Sequence, residues 1–74
     1  MKILKSYEDQ HMGNDCLIDE ELALIECLNS YTVLHITTYK GWMGTERRYD
    51  EYECSSYSEA CEKYDELEKE IKRW

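Results

Sequence analysis

Cys16, Cys27, Cys54 and Cys61, together with His11 and His35, are the side chains of this sequence best suited to hold a metal or act as a nucleophile. Their spacing argues against both roles. The cysteines are separated by 11, 27 and 7 positions, whereas zinc knuckles draw paired ligands from positions about two to four apart. No metal and no other cofactor is expected. A cysteine, a histidine and a carboxylate can form a nucleophile and its base, but any short chain offers those three. The sequence has no G-x-S-x-G elbow, no glycine loop for a phosphate and no H-E-x-x-H. A chain of 74 residues is also too small to enclose a pocket of enzyme size easily. No enzyme is expected.

The chemistry that remains is charge. Seventeen acidic residues stand against nine basic ones, for a formal net charge of −8. Each half of the chain, divided after Lys40, carries −4, so the acidity is not an appended tail. A surface this negative repels nucleic acid and anionic membranes and attracts basic partners; it also confers solubility. Arg47-Arg48 is the one basic pair outside the C-terminal segment, and Glu46, Asp50 and Glu51 flank it. An array of cations facing phosphates is missing, so direct nucleic-acid binding is not expected. The arginines are expected to pair with neighbouring acids.

Three acidic sets are candidates for contact with a basic partner: Asp50, Glu51 and Glu53; Glu59, Glu62 and Glu66; and Asp19, Glu20 and Glu21. On a strand, Glu51 and Glu53 share a side about 6.6 Å apart. DNA carries a charge every ~3.4 Å along each strand, so one row of carboxylates is about half dense enough to imitate it. Glu59, Glu62 and Glu66, at one-turn spacing on an adjacent helix, could supply the second row. Trp42-Met43, between Gly41 and Gly44, are residue types suited to anchor in a partner's pocket. Seven tyrosines and no phenylalanine favour half-wet positions roofing a small core.

These groups need elements to position them. Ser56 and Glu59 form a capping box. After it, Tyr57, Ala60, Tyr64, Leu67, Ile71 and Trp74 recur in steps of three and four, which predicts an amphipathic helix over 56–74. Asp19, followed by Glu20 and Glu21, reads as a cap for a shorter helix over 19–29. Residues 31–39 are rich in β-branched and aromatic types and predict a strand with apolar residues on both faces. The two glycines mark a hairpin connection to a returning strand over 46–54. Tyr49 and Tyr52, three apart, cannot share a face of it unless a bulge intervenes. Residues 8–15 read as a loop around Gly13-Asn14, and residues 1–7 leave room for a third strand. The expected fold class is α+β, with a small antiparallel sheet (hairpin about 31–54) packed by the C-terminal helix and the shorter one. The whole chain, 1–74, is expected to be a single domain. The apolar run near Met1 is far too short for a signal or a membrane span, so the cytoplasm, with reduced cysteines, is the expected compartment.

A second function class competes. Tyr57, Tyr64, Leu67, Ile71 and Trp74 lie on a seven-residue pattern that suits a helix pair, and a small structural or assembly protein homodimerising through that seam is the alternative. The seam spans only about two and a half heptads, short of what argues for a coiled coil.

In composition and order of elements, the chain resembles phage-encoded host-takeover and anti-defence inhibitors, anti-CRISPR proteins among them. From Ser30 to Trp74, the hairpin-then-helix layout is also similar to a small phage inhibitor of uracil-DNA glycosylase that imitates DNA. The resemblance implies a non-enzymatic inhibitor that occludes a basic nucleic-acid-handling protein, such as a CRISPR effector or a DNA-repair enzyme, with an acidic face standing in for nucleic acid.

Overall fold

In a computed structural model, which describes residues 1–73, the chain forms four strands followed by one helix. The elements are β1 (Lys2–Gly13), β2 (Cys16–Glu26), β3 (Tyr31–Gly41), β4 (Gly44–Cys54) and α1 (Tyr57–Ile71). The strands pair in chain order as an antiparallel meander, β1-β2-β3-β4. The α+β class and the 31–54 hairpin are as the sequence indicates. The helix over 19–29 is not formed: those residues lie in β2 and the turn after it. Nor is 8–15 a loop, because β1 runs through to Gly13.

The physical reason for the first correction is a period of two. Ile18, Glu20, Leu22 and Leu24 are buried in alternation along β2, and one polar member, Glu20, disguises the pattern. Leu22, Ile25 and Leu28 give a helical spacing by coincidence; Leu28 stands exposed in the β2–β3 turn. That turn is closed by the Cys27 N–H donating to the Ser30 carbonyl at 2.9 Å. Asn14-Asp15 makes a two-residue turn between β1 and β2, with Asp15 at a φ of 62°. Asn and Asp tolerate that left-handed region better than most residues. Gly44, at a φ of 141°, supplies the backbone freedom at the β3–β4 hairpin.

One side of the sheet carries the core. Leu22, Leu24, Val33 and Cys54 pack against Ala60, Tyr64, Leu67 and Ile71 of α1. The helix crosses the sheet from the β3–β4 side towards β1. At its start Tyr57 meets Tyr31 edge-on, centroids 5.8 Å apart. Further along, Lys63 Nζ lies 4.3 Å over the Tyr52 ring, and at the end Lys72 Nζ lies 5.3 Å over the Tyr7 ring. The tyrosines thus roof the core with lysines stacked outside them. Between Ile3 and Lys5 the β1–β2 register slips by one residue, a bulge that lets Leu4 reach the core.

The capping box forms with a shift. The Glu59 N–H donates to Ser56 Oγ at 3.2 Å, while the Glu59 carboxylate accepts from Ser55 N–H and Oγ–H at 3.3 and 2.9 Å. Ser56→Ala should cost about 1 kcal/mol, measured as a lower urea midpoint at unchanged slope. On the helix surface Glu68 and Lys72, four apart, meet at 3.0 Å, and Lys63 and Glu66, three apart, meet at 3.7 Å.

Candidate functional site

A helix of 15 residues is about 22 Å long, and a strand of 11 residues is about 36 Å. The helix crosses the strands rather than running their length, and towards the β1–β2 and β3–β4 turns the same sheet face becomes polar. Glu20 of β2 sits between His11 of β1 and His35 of β3, each diagonal to it. His11 Nε2 lies 3.0 Å from Glu20 Oε2 and His35 Nε2 lies 3.1 Å from Glu20 Oε1. Glu20 is only 6% exposed. A carboxylate only accepts, so both imidazoles donate through Nε2. Nearby, Asp9 accepts from the Tyr7 hydroxyl at 3.0 Å and the Gln10 N–H at 2.8 Å, and these bonds hold its carboxyl below the usual range.

This cluster is the group that sequence reasoning missed. Read as a strand, residues 16–26 put Glu20 on the buried side among apolar neighbours, where a carboxylate requires partners. Its geometry is structural. Thr37 Oγ1 lies 3.5 Å from the same His35 nitrogen that serves Glu20, so no hydroxyl–imidazole–carboxylate relay through both ring nitrogens is set up. The imidazoles meet different carboxylate oxygens and do not converge on one point. Among the described residues no group of three His, Cys, Asp or Glu is arranged for a metal. The four cysteines are free, and burial pushes the Cys54 thiol up, against forming the thiolate.

The acidic candidates divide. Glu53, Glu59, Glu62 and Glu66 line one shallow groove between the edge strand β4 and α1, floored by Tyr52 and Cys54. Lys63 lies in the same groove. Glu51 is on the helix-free side of the sheet with Glu53, as its pairing with Leu34 requires. Asp50 faces the other way, across from His35, and pairs with Arg48 at 3.5 Å. Asp50, Glu51 and Glu53 are therefore not one row. The β3–β4 register is unbroken, so Tyr52 turns to the core and Tyr49 to solvent. In the Asp19-Glu20-Glu21 set the middle residue is buried, and Asp19 is held by Lys40 at 2.9 Å, which lowers its carboxyl.

Trp42 and Met43 stand at the hairpin tip, 85% and 81% exposed. Nine residue steps along β4 lead from Gly44 to Glu53, about 30 Å of strand. The anchor and the acidic groove are thus at opposite ends of the sheet. Of the proposed dimer seam, Tyr64, Leu67 and Ile71 are buried in the chain's own core. Tyr57 is half exposed, and Trp74 lies outside the described residues. Packing on its own sheet occupies these three members of the seam.

A two-layer meander with one crossing helix, an acidic groove at one edge and an aromatic tip is the class of protein that fold and surface define. No protein-family model, no curated protein and no solved structure matches the chain. No helix among the described residues is long and apolar enough to cross a membrane.

Proposed function

We propose that the protein is a non-enzymatic binding module of the anti-CRISPR or anti-defence type. It occludes the basic site of a nucleic-acid-handling protein in the host cytoplasm, and its carboxylates stand in for phosphates. What supports this is the groove along β4 and α1. It gathers Glu53, Glu59, Glu62 and Glu66 against the single ammonium of Lys63. Along the helix these carboxylates rise by about 4.5 and 6 Å, and Glu53 joins them from the strand. That is a two-element row, closer to the charge spacing of a nucleic-acid backbone than a strand alone can achieve. Trp42 serves as a separate contact on a partner long enough to span the sheet. Asp50, satisfied by Arg48 on the other side, is outside the groove.

The test is capture of partners from host lysate, followed by competition with duplex DNA. DNA should displace the captured protein, and capture should weaken as salt rises. Glu59→Gln, Glu62→Gln and Glu66→Gln together should weaken binding roughly ten- to a hundredfold, with helicity unchanged. Asp50→Asn should have no effect. Equal binding by the triple variant would refute the mimicry.

A further inference from the structure

The side of the sheet away from α1 has a second binding pattern, which shares only Glu53 with the groove. Antiparallel pairing sets Ile3 beside Ile25, Ala23 beside Leu34, and Ile36 beside Tyr49. Each step moves towards β4 and towards the turn end, so these residues form one diagonal apolar band. Ile3 and Tyr49, at its ends, are 64% and 58% exposed. Ile25, Ala23, Leu34 and Ile36 between them are half-buried, and among the described residues no helix or strand is laid over them. Near β1 the band dips into a shallow depression lined by Ile3, Ser6, Glu8, Glu21, Ala23 and Leu34.

Carboxylates border the band on both long sides. Glu8 and Glu21 sit opposite each other on one flank. Glu51 and Glu53, across from Leu34 and Thr32, form the other. The cations of this side are Lys40, which Asp19 holds, and Arg47, which sits beside Tyr49 at the turn end of the band and is drawn to Glu21. Two strand spacings and two residues separate Glu21 from Glu51, about 12 Å on a flat sheet. That matches the 10–12 Å or so of a helix with its side chains. From Ile3 to Tyr49 the band is roughly 20 Å long, room for about 13 helical residues. The covered side offers an internal precedent: there the seam of α1 lies on apolar residues while Lys63 and Lys72 settle over tyrosines on either side.

We infer that the helix-free sheet side is a docking surface for a cationic amphipathic helix of a partner protein, its apolar stripe on the diagonal band and its lysines or arginines on Glu8, Glu21, Glu51 and Glu53. The opposite charge on both flanks selects this occupant over a second copy of the chain, which would bring acidic flanks to acidic flanks.

The full chain, labelled for amide NMR, is titrated with a helical peptide of about 15 residues carrying a leucine stripe between lysines. A second peptide has glutamate in place of lysine. The lysine peptide should shift amides along Ala23, Ile25, Leu34, Ile36 and Tyr49, with affinity falling as salt rises. Ile3→Ser with Tyr49→Ser, both at exposed positions, should weaken it at least tenfold while the unbound spectrum stays folded. Glu8→Gln with Glu21→Gln and Glu51→Gln should do the same. Glu59→Gln with Glu62→Gln and Glu66→Gln should not, which separates this surface from the groove. Shifts confined to the groove, equal binding of the glutamate peptide, or indifference to the Ile3 and Tyr49 changes would each overturn the inference. So would sedimentation of the free chain as a dimer that the Ile3 and Tyr49 changes dissociate, which would assign the band to a second copy.

Discussion

Leu67→Asp is expected to leave an unfolded monomer. Leu67 is 4% exposed and sits in the single cluster that joins α1 to the sheet. Truncating a buried leucine costs about 2–5 kcal/mol through lost burial and the cavity left behind. Aspartate adds the burial of a carboxylate among apolar groups with no partner, which costs several kcal/mol more or forces local unfolding. A domain of 74 residues has only roughly 4–11 kcal/mol in all, at about 0.05–0.15 kcal/mol per residue. Circular dichroism should lose both helix and strand signal, and light scattering should report monomer mass at every dilution. A variant that stays folded and merely sheds a dimer would show that the seam faces a second chain. Glu70→Gln, on the exposed side of the same helix, should change neither signal. The contrast rests on burial: Leu67 lies in the core, whereas the Glu70 side chain is exposed on the same helix.

The helix and the hairpin were legible because each has redundant local signals. Ser56 with Glu59, and the stripe through Ala60, Tyr64, Leu67 and Ile71, mark the same helix twice, and the glycines at 41 and 44 bracket the two residues of the turn between the paired strands. For Tyr49 and Tyr52, periodicity leaves two readings, a bulge or opposite sides, and the unbroken register decides for opposite sides. The first half of the chain was harder because its decisive interactions are non-local. Glu20 looks like a helix-cap neighbour until His11 and His35, 9 and 15 positions away, are brought against it. In β1, Lys2, Lys5, Glu8 and Gln10 hide the alternation because an edge strand with one bare side is largely polar. The acidic surface was legible as composition but not as position. Only the register separates Asp50 from Glu51 and Glu53, and only the path of α1 brings Glu59, Glu62 and Glu66 beside Glu53.

Replacing Glu20 should have the second-largest effect, and with a particular signature. Glu20→Ala removes the acceptor of two imidazole N–H donors whose side chains are 11% and 15% exposed. Each buried donor left unpaired costs about 1–3 kcal/mol, so the loss should be roughly 2–5 kcal/mol. Glu20→Gln should cost less, about 1–3 kcal/mol. Its amide offers one acceptor and one donor, so one imidazole must carry its hydrogen on the other nitrogen to pair with it. Replacing all three members together, His11→Leu, Glu20→Met and His35→Leu, should be less harmful than Glu20→Ala alone. With the carboxylate and both imidazoles gone, the Thr37 hydroxyl loses a 3.5 Å neighbour, but the sheet gains an apolar patch in place of a broken ionic network. Urea midpoints of the single, double and triple variants measure the coupling directly. Additive losses, each below about 0.5 kcal/mol, would mean that solvent satisfies these groups and that the cross-strand clamp contributes nothing to the fold.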